Sequence, residues 1–128
     1  MTKAHPLAVL VVEDERVVAW DLREILNALG HDCYAIASSG QDALRAAEQQ
    51  RPDLVLMDIR LKGAIDGIET ARLLQERHGE AVRIIFLSAH SRADLGERAR
   101  RVRVAAWMRK PINAAMLRKT LAQVLAED

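Results

Sequence analysis

Residues 8–15 read AVLVVEDE, a run of five apolar residues followed directly by acidic ones. Residues 54–58 read LVLMD and have the same form, with the acid at the end of an apolar run. Neither run alternates apolar with polar residues, so each is expected to form a strand that is buried on both faces. Strands of that kind are typical of a parallel sheet covered by helices. These two segments therefore predict an α/β fold.

The same strand pattern recurs along the chain, and segments with helical spacing lie between the strands. The fourth helical segment is the weakest, because Leu95 is its only large apolar residue. The pattern predicts a flavodoxin-like, doubly wound (βα)5 domain over residues 1–128, with a five-stranded parallel sheet in the order 2-1-3-4-5. The predicted strands are Ala8–Val12, Asp32–Ala37, Leu54–Met57, Arg83–Leu87 and Val104–Met108. The predicted helices cover about 18–29, 41–50, 67–77, 93–101 and 112–125.

Composition limits the classes of function. The chain has 128 residues, with 19 basic and 18 acidic side chains, so its bulk charge favours no polyanionic partner. Nine basic residues against two acidic ones lie between Arg92 and Lys119, which we interpret as a solvated surface and not as a nucleic-acid site. Cys33 is the single cysteine and no apolar stretch approaches the ~18 residues of a membrane span. We therefore expect a cytoplasmic protein without a membrane contact.

Polar side chains stand at the carboxyl ends of four of the predicted strands. Ligands bind at that edge of an open parallel sheet, near the point where the strand order reverses. Because these ends meet at one crevice, acidic, hydroxyl and ammonium groups are expected to converge there. The residues concerned are Glu13 and Asp14 after the first strand, Asp58 after the third, Ser88 after the fourth and Lys110 after the fifth.

The acidic part of this set predicts a magnesium site. Neighbouring carboxylates repel one another unless a cation lies between them. Mg²⁺ prefers hard oxygen ligands and keeps water or phosphate oxygens in its coordination shell. We expect Asp14 and Asp58 to bind it directly, Glu13 to bind it directly or through a water, and the backbone carbonyl of Arg60 to complete the protein ligands.

The remaining groups suit phosphoryl transfer to a carboxylate. Asp58 is the side chain best placed to act as the nucleophile. Phosphoryl transfer depends mainly on positioning and on neutralising the charge of the phosphoryl oxygens. We expect Lys110 to pair with Asp58 before the reaction and with a phosphoryl oxygen afterwards, while Ser88 donates to another oxygen.

Four motifs make the chain resemble the receiver domain (REC) of two-component response regulators over nearly all of its length. They are VVEDE at 11–15, LVLMDIRL at 54–61, IIFLSAH at 84–90 and MRKP at 108–111. The resemblance implies that Asp58 accepts a phosphoryl group from a phosphohistidine of a sensor histidine kinase or a histidine phosphotransfer protein. It also implies a cis peptide bond before Pro111.

The same resemblance implies a conformational switch. Ser88 would move toward the phosphoryl group, and Trp107 occupies the position where the family usually has a Tyr or Phe that changes rotamer. The change would reach the face formed by the fourth helix, the fifth strand and the last helix. That face would signal to an output domain or a separate downstream protein, and no output domain is expected within these 128 residues.

Three other classes of protein share parts of this pattern. A nucleotide- or flavin-binding domain needs a glycine-rich turn after the first strand, where this chain has Glu13-Asp14-Glu15. An aspartate-nucleophile phosphatase usually has a second Asp two residues after the first, where this chain has Arg60. A receiver that has lost its chemistry and only binds would lack some of the five site residues. We therefore predict a signalling phosphoacceptor and not a turnover enzyme, with an aspartate phosphatase or a metal-binding flavodoxin-like module as the alternatives.

Overall fold

The computed structural model describes residues 6–126 and contains a five-stranded parallel sheet in the order β2-β1-β3-β4-β5. Residues 1–5 and 127–128 of the predicted domain lie outside the described residues. The predicted fold class is confirmed, and each strand agrees with its prediction to within one residue. The strands are β1 Ala8–Val12, β2 Asp32–Ala37, β3 Leu54–Asp58, β4 Arg83–Ser88 and β5 Val104–Arg109. The helices are α1 Arg16–Ala28, α2 Gly40–Gln49, α3 Gly67–His78 and α4 Ala114–Ala126.

The sheet separates two apolar cores, as the unbroken apolar runs predict. Every residue of Val9–Val12 and Leu54–Met57 is fully buried. Alternate residues of these strands point to opposite faces, where α2 and α3 cover one side and α1 and α4 cover the other. Among residues 6–126, no helix is long and apolar enough to cross a membrane.

The prediction of a fourth helix at about 93–101 is wrong. In its place are two short 3₁₀ segments, Arg92–Leu95 and Glu97–Arg101, joined by Gly96 in the left-handed region at φ +59°. Leu95 and Ala99 are the only residues of these segments that are buried. A helix in a protein takes most of its stability from packing an apolar face against the core. Leu95 and Ala99 alone bury too little apolar surface to form such a face. The described chain therefore has five strands but only four α-helices.

The loop between β3 and α3 is fixed at its end by Asp66. The Asp66 carboxylate caps α3 by accepting a hydrogen bond from the backbone N–H of Glu69 at 3.0 Å. Both of its oxygens also accept from the guanidinium of Arg98, at 2.7 and 2.8 Å. One side chain therefore starts the helix and ties this loop to the second 3₁₀ segment.

Replacing Asp66 should destabilise the protein in a way that separates these two contacts. Asp66→Ala removes both the cap and the ion pair, and we expect it to lower the free energy of unfolding by about 1–2 kcal/mol. Asp66→Asn keeps a capping oxygen and loses only the charge, so its loss should be within about 1 kcal/mol because Arg98 is exposed. Urea denaturation of both variants measures the difference, and equal losses would contradict the capping role.

The same pair predicts a pH dependence. The hydrogen bonds from Arg98 hold the pKa of Asp66 below its ordinary value of 3.8. A carboxyl whose pKa is lower in the folded state stabilises the protein above the unfolded pKa. That contribution is lost as the pH falls through the lower, folded value. Urea midpoints should therefore fall more steeply below pH 3.8 for the native protein than for Asp66→Asn.

Candidate functional site

Three carboxylates meet at the carboxyl edge of the sheet. Glu13 and Asp14 follow β1 directly, and Asp58 is the last residue of the neighbouring strand β3. Each offers an oxygen, and these oxygens all lie within 4.8 Å of one another. Glu13 is 1% exposed and Asp58 is 6% exposed, so two of the three charges are largely removed from water.

Lys110 supplies the positive charge next to this cluster. Its Nζ lies 2.5 Å from Glu13 Oε1 and 3.3 Å from Asp58 Oδ2. The expected partner, Asp58, is therefore in contact, but Glu13 is the closer carboxylate. Glu13 Oε2 in turn accepts a hydrogen bond from the backbone N–H of Glu15 at 3.1 Å. The peptide bond between Lys110 and Pro111 is cis, as the resemblance implies.

Burial and pairing act in opposite directions on these groups. Burial raises the pKa of Glu13 to about 7, although the hydrogen bonds from Lys110 and from the Glu15 amide work against that shift. Burial also disfavours the Lys110 ammonium. The hydrogen bond to Glu13 and the charge of Asp58 outweigh it, so the pKa of Lys110 lies above its ordinary value. The ammonium is therefore a permanent cation at neutral pH.

Arg60 contacts the site through its backbone N–H, which donates to Asp58 Oδ1 at 3.1 Å. Its guanidinium turns away and reaches Asp94 Oδ1 at 3.4 Å. Asp58 thus has one oxygen bonded to the loop and the other facing Lys110. The carboxylate opens on a cleft of about 250 Å³ whose lining residues are Asp14, Glu15, Asp58, Arg60, Lys62, Ala89 and Lys110.

Ser88 is at the same edge of the sheet, but its hydroxyl is engaged elsewhere. The side chain is 3% exposed, and Oγ donates to Asp94 Oδ2 at 2.6 Å. Oγ also accepts from the backbone N–H of His90 at 3.1 Å. Within residues 6–126 these are its side-chain hydrogen bonds, and neither leads to Asp58 or Lys110.

Asp94 was not predicted from the sequence as part of the site. Its carboxylate lies in the first 3₁₀ segment and contacts both Ser88 and Arg60. The hydrogen bond from Ser88 keeps the pKa of Asp94 below its ordinary value, so the carboxylate is ionised at neutral pH. The available signal was weak: Asp94 is one of only two acids in an arginine-rich stretch, at a position with no periodic pattern.

Trp107 lies in β5 beside Phe86 of β4. Its indole is partly buried and packs against the core on the side of α2, α3 and the 3₁₀ segments. The indole N–H is buried and has no acceptor among residues 6–126. An unpaired buried donor is unfavourable, so the present orientation leaves the hydrogen-bonding capacity of the indole N–H unsatisfied.

The donor set of the acidic cluster fits a magnesium ion. Carboxylate oxygens are the ligands that Mg²⁺ prefers, and it requires only a few of them because it retains waters. Glu13, Asp14 and Asp58 bring such oxygens together at the mouth of a cleft. This arrangement can hold a cation between the carboxylates and can place the Asp58 carboxylate, a potential nucleophile, beside the Lys110 ammonium.

Comparison with known families agrees with this fold. The family model described as "Response regulator receiver domain" matches residues 9–122. The chain therefore belongs to the receiver-domain family of response regulators, a family of signalling domains.

Among individual relatives, the transcriptional regulatory protein PdtaR of Mycobacterium tuberculosis is 37% identical over 114 residues, which are 89% of this chain and 54% of PdtaR. Sporulation initiation phosphotransferase F of Bacillus subtilis is 27% identical over 117 residues, covering 91% of this chain and 92% of that protein. This chain thus spans about half the length of PdtaR and nearly all of the second relative.

Solved structures give the same picture. The signal receiver domain of a modulated diguanylate cyclase from Desulfovibrio desulfuricans G20 superimposes with a TM-score of 0.84 at 34% identity, covering 96% of both chains. The receiver domain of PhyR from Erythrobacter litoralis superimposes with a TM-score of 0.82 at 28% identity, over 94% of this chain and 91% of that one.

Proposed function

We propose that this receiver domain accepts a phosphoryl group on Asp58, in a Mg²⁺-dependent reaction with a phosphohistidine of a sensor histidine kinase or a histidine phosphotransfer protein. The observation that carries the proposal is the position of the Asp58 carboxylate. It lies among two other carboxylates and within 3.3 Å of the Lys110 ammonium, at the mouth of a cleft. A nucleophile, a cation site and a fixed positive charge are the groups that phosphoryl transfer needs.

In this reaction an Asp58 oxygen forms a bond to phosphorus while the phosphorus–nitrogen bond to the donor histidine breaks. The bonding electron pair leaves with the imidazole nitrogen. Lys110 then pairs with a phosphoryl oxygen, since its Nζ already lies next to Asp58 Oδ2. Glu13, Asp14, Asp58 and the Arg60 carbonyl would hold a magnesium ion, which would further neutralise the phosphoryl charge. Attack of water on phosphorus later releases phosphate and restores the carboxylate.

The proposed consequence is a conformational signal and not turnover of an external substrate. Ser88 and Trp107 would transmit the change to the face formed by the 3₁₀ segments, β5 and α4. An output domain or a downstream protein would read that face, without direct binding of nucleic acid or membrane by this domain. The cytoplasm is the proposed compartment, because a single cysteine suits a reducing environment.

Incubation with acetyl phosphate tests the proposal. With Mg²⁺, the intact mass should increase by one phosphoryl group that is lost on hydrolysis, and EDTA should prevent the increase. The carboxylates cannot hold the phosphoryl group without a cation. If the protein instead turns over many equivalents of p-nitrophenyl phosphate without becoming labelled, it is a phosphatase and the proposal fails.

Trp107 gives a spectroscopic prediction for the switch. In a Trp20→Phe variant, Trp107 is the single tryptophan. Beryllofluoride, which mimics the phosphoryl group, should shift its fluorescence to shorter wavelength as the partly buried indole turns inward. The matched variant Trp107→Phe retains Trp20, which is 48% exposed on α1, and should show no shift. An unchanged spectrum despite binding measured by calorimetry would exclude Trp107 from the switch.

A further inference from the structure

We propose that Asp94 is a positioning residue for Ser88. Its carboxylate accepts a hydrogen bond from the Ser88 hydroxyl, and this bond must break before the hydroxyl can donate to a phosphoryl oxygen on Asp58. This inference rests on the proposed function of Asp58. It assigns a role to a residue outside the acidic cluster, in the segment where a helix was predicted.

The contact between Ser88 and Asp94 is a strong one. Its length of 2.6 Å is within the range of hydrogen bonds from hydroxyls to carboxylates, which are about twice as strong as those between neutral groups. Ser88 is buried, and the Asp94 side chain is only 17% exposed, so water competes poorly for either group. The hydroxyl is therefore held in this orientation before any phosphoryl group arrives.

A hydroxyl has one proton to donate. The lone pairs of Ser88 Oγ already accept from the backbone N–H of His90, which restrains the oxygen atom. The proton can point to Asp94 or to a phosphoryl oxygen, but not to both. Asp94 and the phosphoryl group are consequently competitors for the same donor.

Arg60 connects this competition to the acceptor. Its guanidinium contacts Asp94 Oδ1, the oxygen that does not bind Ser88, and its backbone N–H donates to Asp58. Asp94 therefore retains a partner when it gives up Ser88, which reduces the cost of release. The second 3₁₀ segment remains tied by Arg98 to Asp66. Release of Ser88 would thus break the contact that holds the first 3₁₀ segment to β4, while the Arg98–Asp66 pair continues to hold the second segment.

A double-mutant cycle on beryllofluoride binding tests the role. Calorimetry with Mg²⁺ would measure affinity for the native protein, Asp94→Ala, Ser88→Ala and the double variant. Asp94→Ala should bind at least about tenfold more tightly, the lower end of what one net hydrogen bond to a charged group contributes. In the Ser88→Ala background, the same change should have no effect, because the donor is gone.

Two further variants separate positioning from charge and from folding. Glu97→Ala removes a negative charge from the neighbouring segment without touching Ser88, and its affinity should equal that of the native protein. Asp94→Asn keeps a neutral acceptor and the side-chain volume, and should give an intermediate gain even if Asp94→Ala is poorly folded.

Three results would overturn the inference. They are a weaker affinity in the Asp94 variants, an equal gain with and without Ser88, or a matching gain in Glu97→Ala. The last two would mean that Asp94 acts only through its charge. Failure of the proposed function can be distinguished from failure of the Asp94 role. In that case the native protein would neither bind beryllofluoride with Mg²⁺ nor accept a phosphoryl group. Native binding without coupling between Asp94 and Ser88 would refute the role of Asp94 alone.

Discussion

Asp58→Asn should take up no phosphoryl group from acetyl phosphate and Mg²⁺ under conditions in which the native protein is labelled. The amide is nearly the same size as the carboxylate and can still accept the hydrogen bond from the Arg60 N–H. It lacks the negative charge that makes the carboxylate a nucleophile and a metal ligand. The expected effect is therefore a loss of chemistry without a loss of fold, measured by intact mass alongside the thermal unfolding midpoint.

The matched control is Asp53→Asn, just before the other end of the same strand. Asp53 Oδ2 accepts from the backbone N–H of Ala8 at 2.8 Å, and an amide oxygen can replace that acceptor. This variant should be labelled as the native protein is. Equal labelling of Asp58→Asn and the native protein would mean that the acceptor is another residue.

Gly67→Ala should have the largest effect on stability. Gly67 begins α3 next to Asp58, and its N–H donates to the Ile59 carbonyl at 2.9 Å. A Cβ atom at this position would lie 1.9 Å from the Asp58 carbonyl oxygen and 2.9 Å from Ile59 Cα. Both are backbone atoms at the buried carboxyl end of β3, in its last residue and the one after it, so relief requires moving the backbone at Asp58. We expect a loss of at least about 3 kcal/mol in the free energy of unfolding, at the upper end for overpacking.

Gly30→Ala separates this clash from the general cost of replacing a glycine. Gly30 has φ +91°, and nothing lies within 4 Å of its added Cβ. Its replacement should therefore cost only about 1–2 kcal/mol of backbone strain and leave phosphoryl uptake intact. Urea denaturation and labelling of both variants provide the comparison. If Gly67→Ala were no less stable than Gly30→Ala, the close approach of α3 to Asp58 would not constrain the site.

The parts of the fold that were predictable are those set by local pattern. The runs at Ala8–Val12 and Leu54–Met57 are apolar on both faces, which requires central parallel strands, and the sheet places them side by side. Once the strand order is known, the convergence of Glu13, Asp14 and Asp58 follows from the geometry of a parallel sheet. The acidic cluster could therefore be assembled from the sequence.

The segment after β4 could not be predicted in the same way. Its conformation depends on contacts between residues 32 and 34 positions apart, Asp66 with Arg98 and Arg60 with Asp94. Such ion pairs leave no periodic signal in a single sequence, and a stretch with one large apolar residue does not favour a helix. The engagement of Ser88 by Asp94 was missed for the same reason, as was the shorter of the two contacts of Lys110, to Glu13.

We propose above that Asp58 is the phosphoacceptor and that its reaction requires a divalent cation. The most direct test is to incubate the native chain with a phosphorylated histidine donor, with and without Mg²⁺, and to reduce the acyl phosphate with borohydride. The reduced position can then be located by peptide mass spectrometry. We predict conversion of the aspartate at position 58 alone, and only when Mg²⁺ is present. Modification of a different residue, or equal modification in EDTA, would contradict the account.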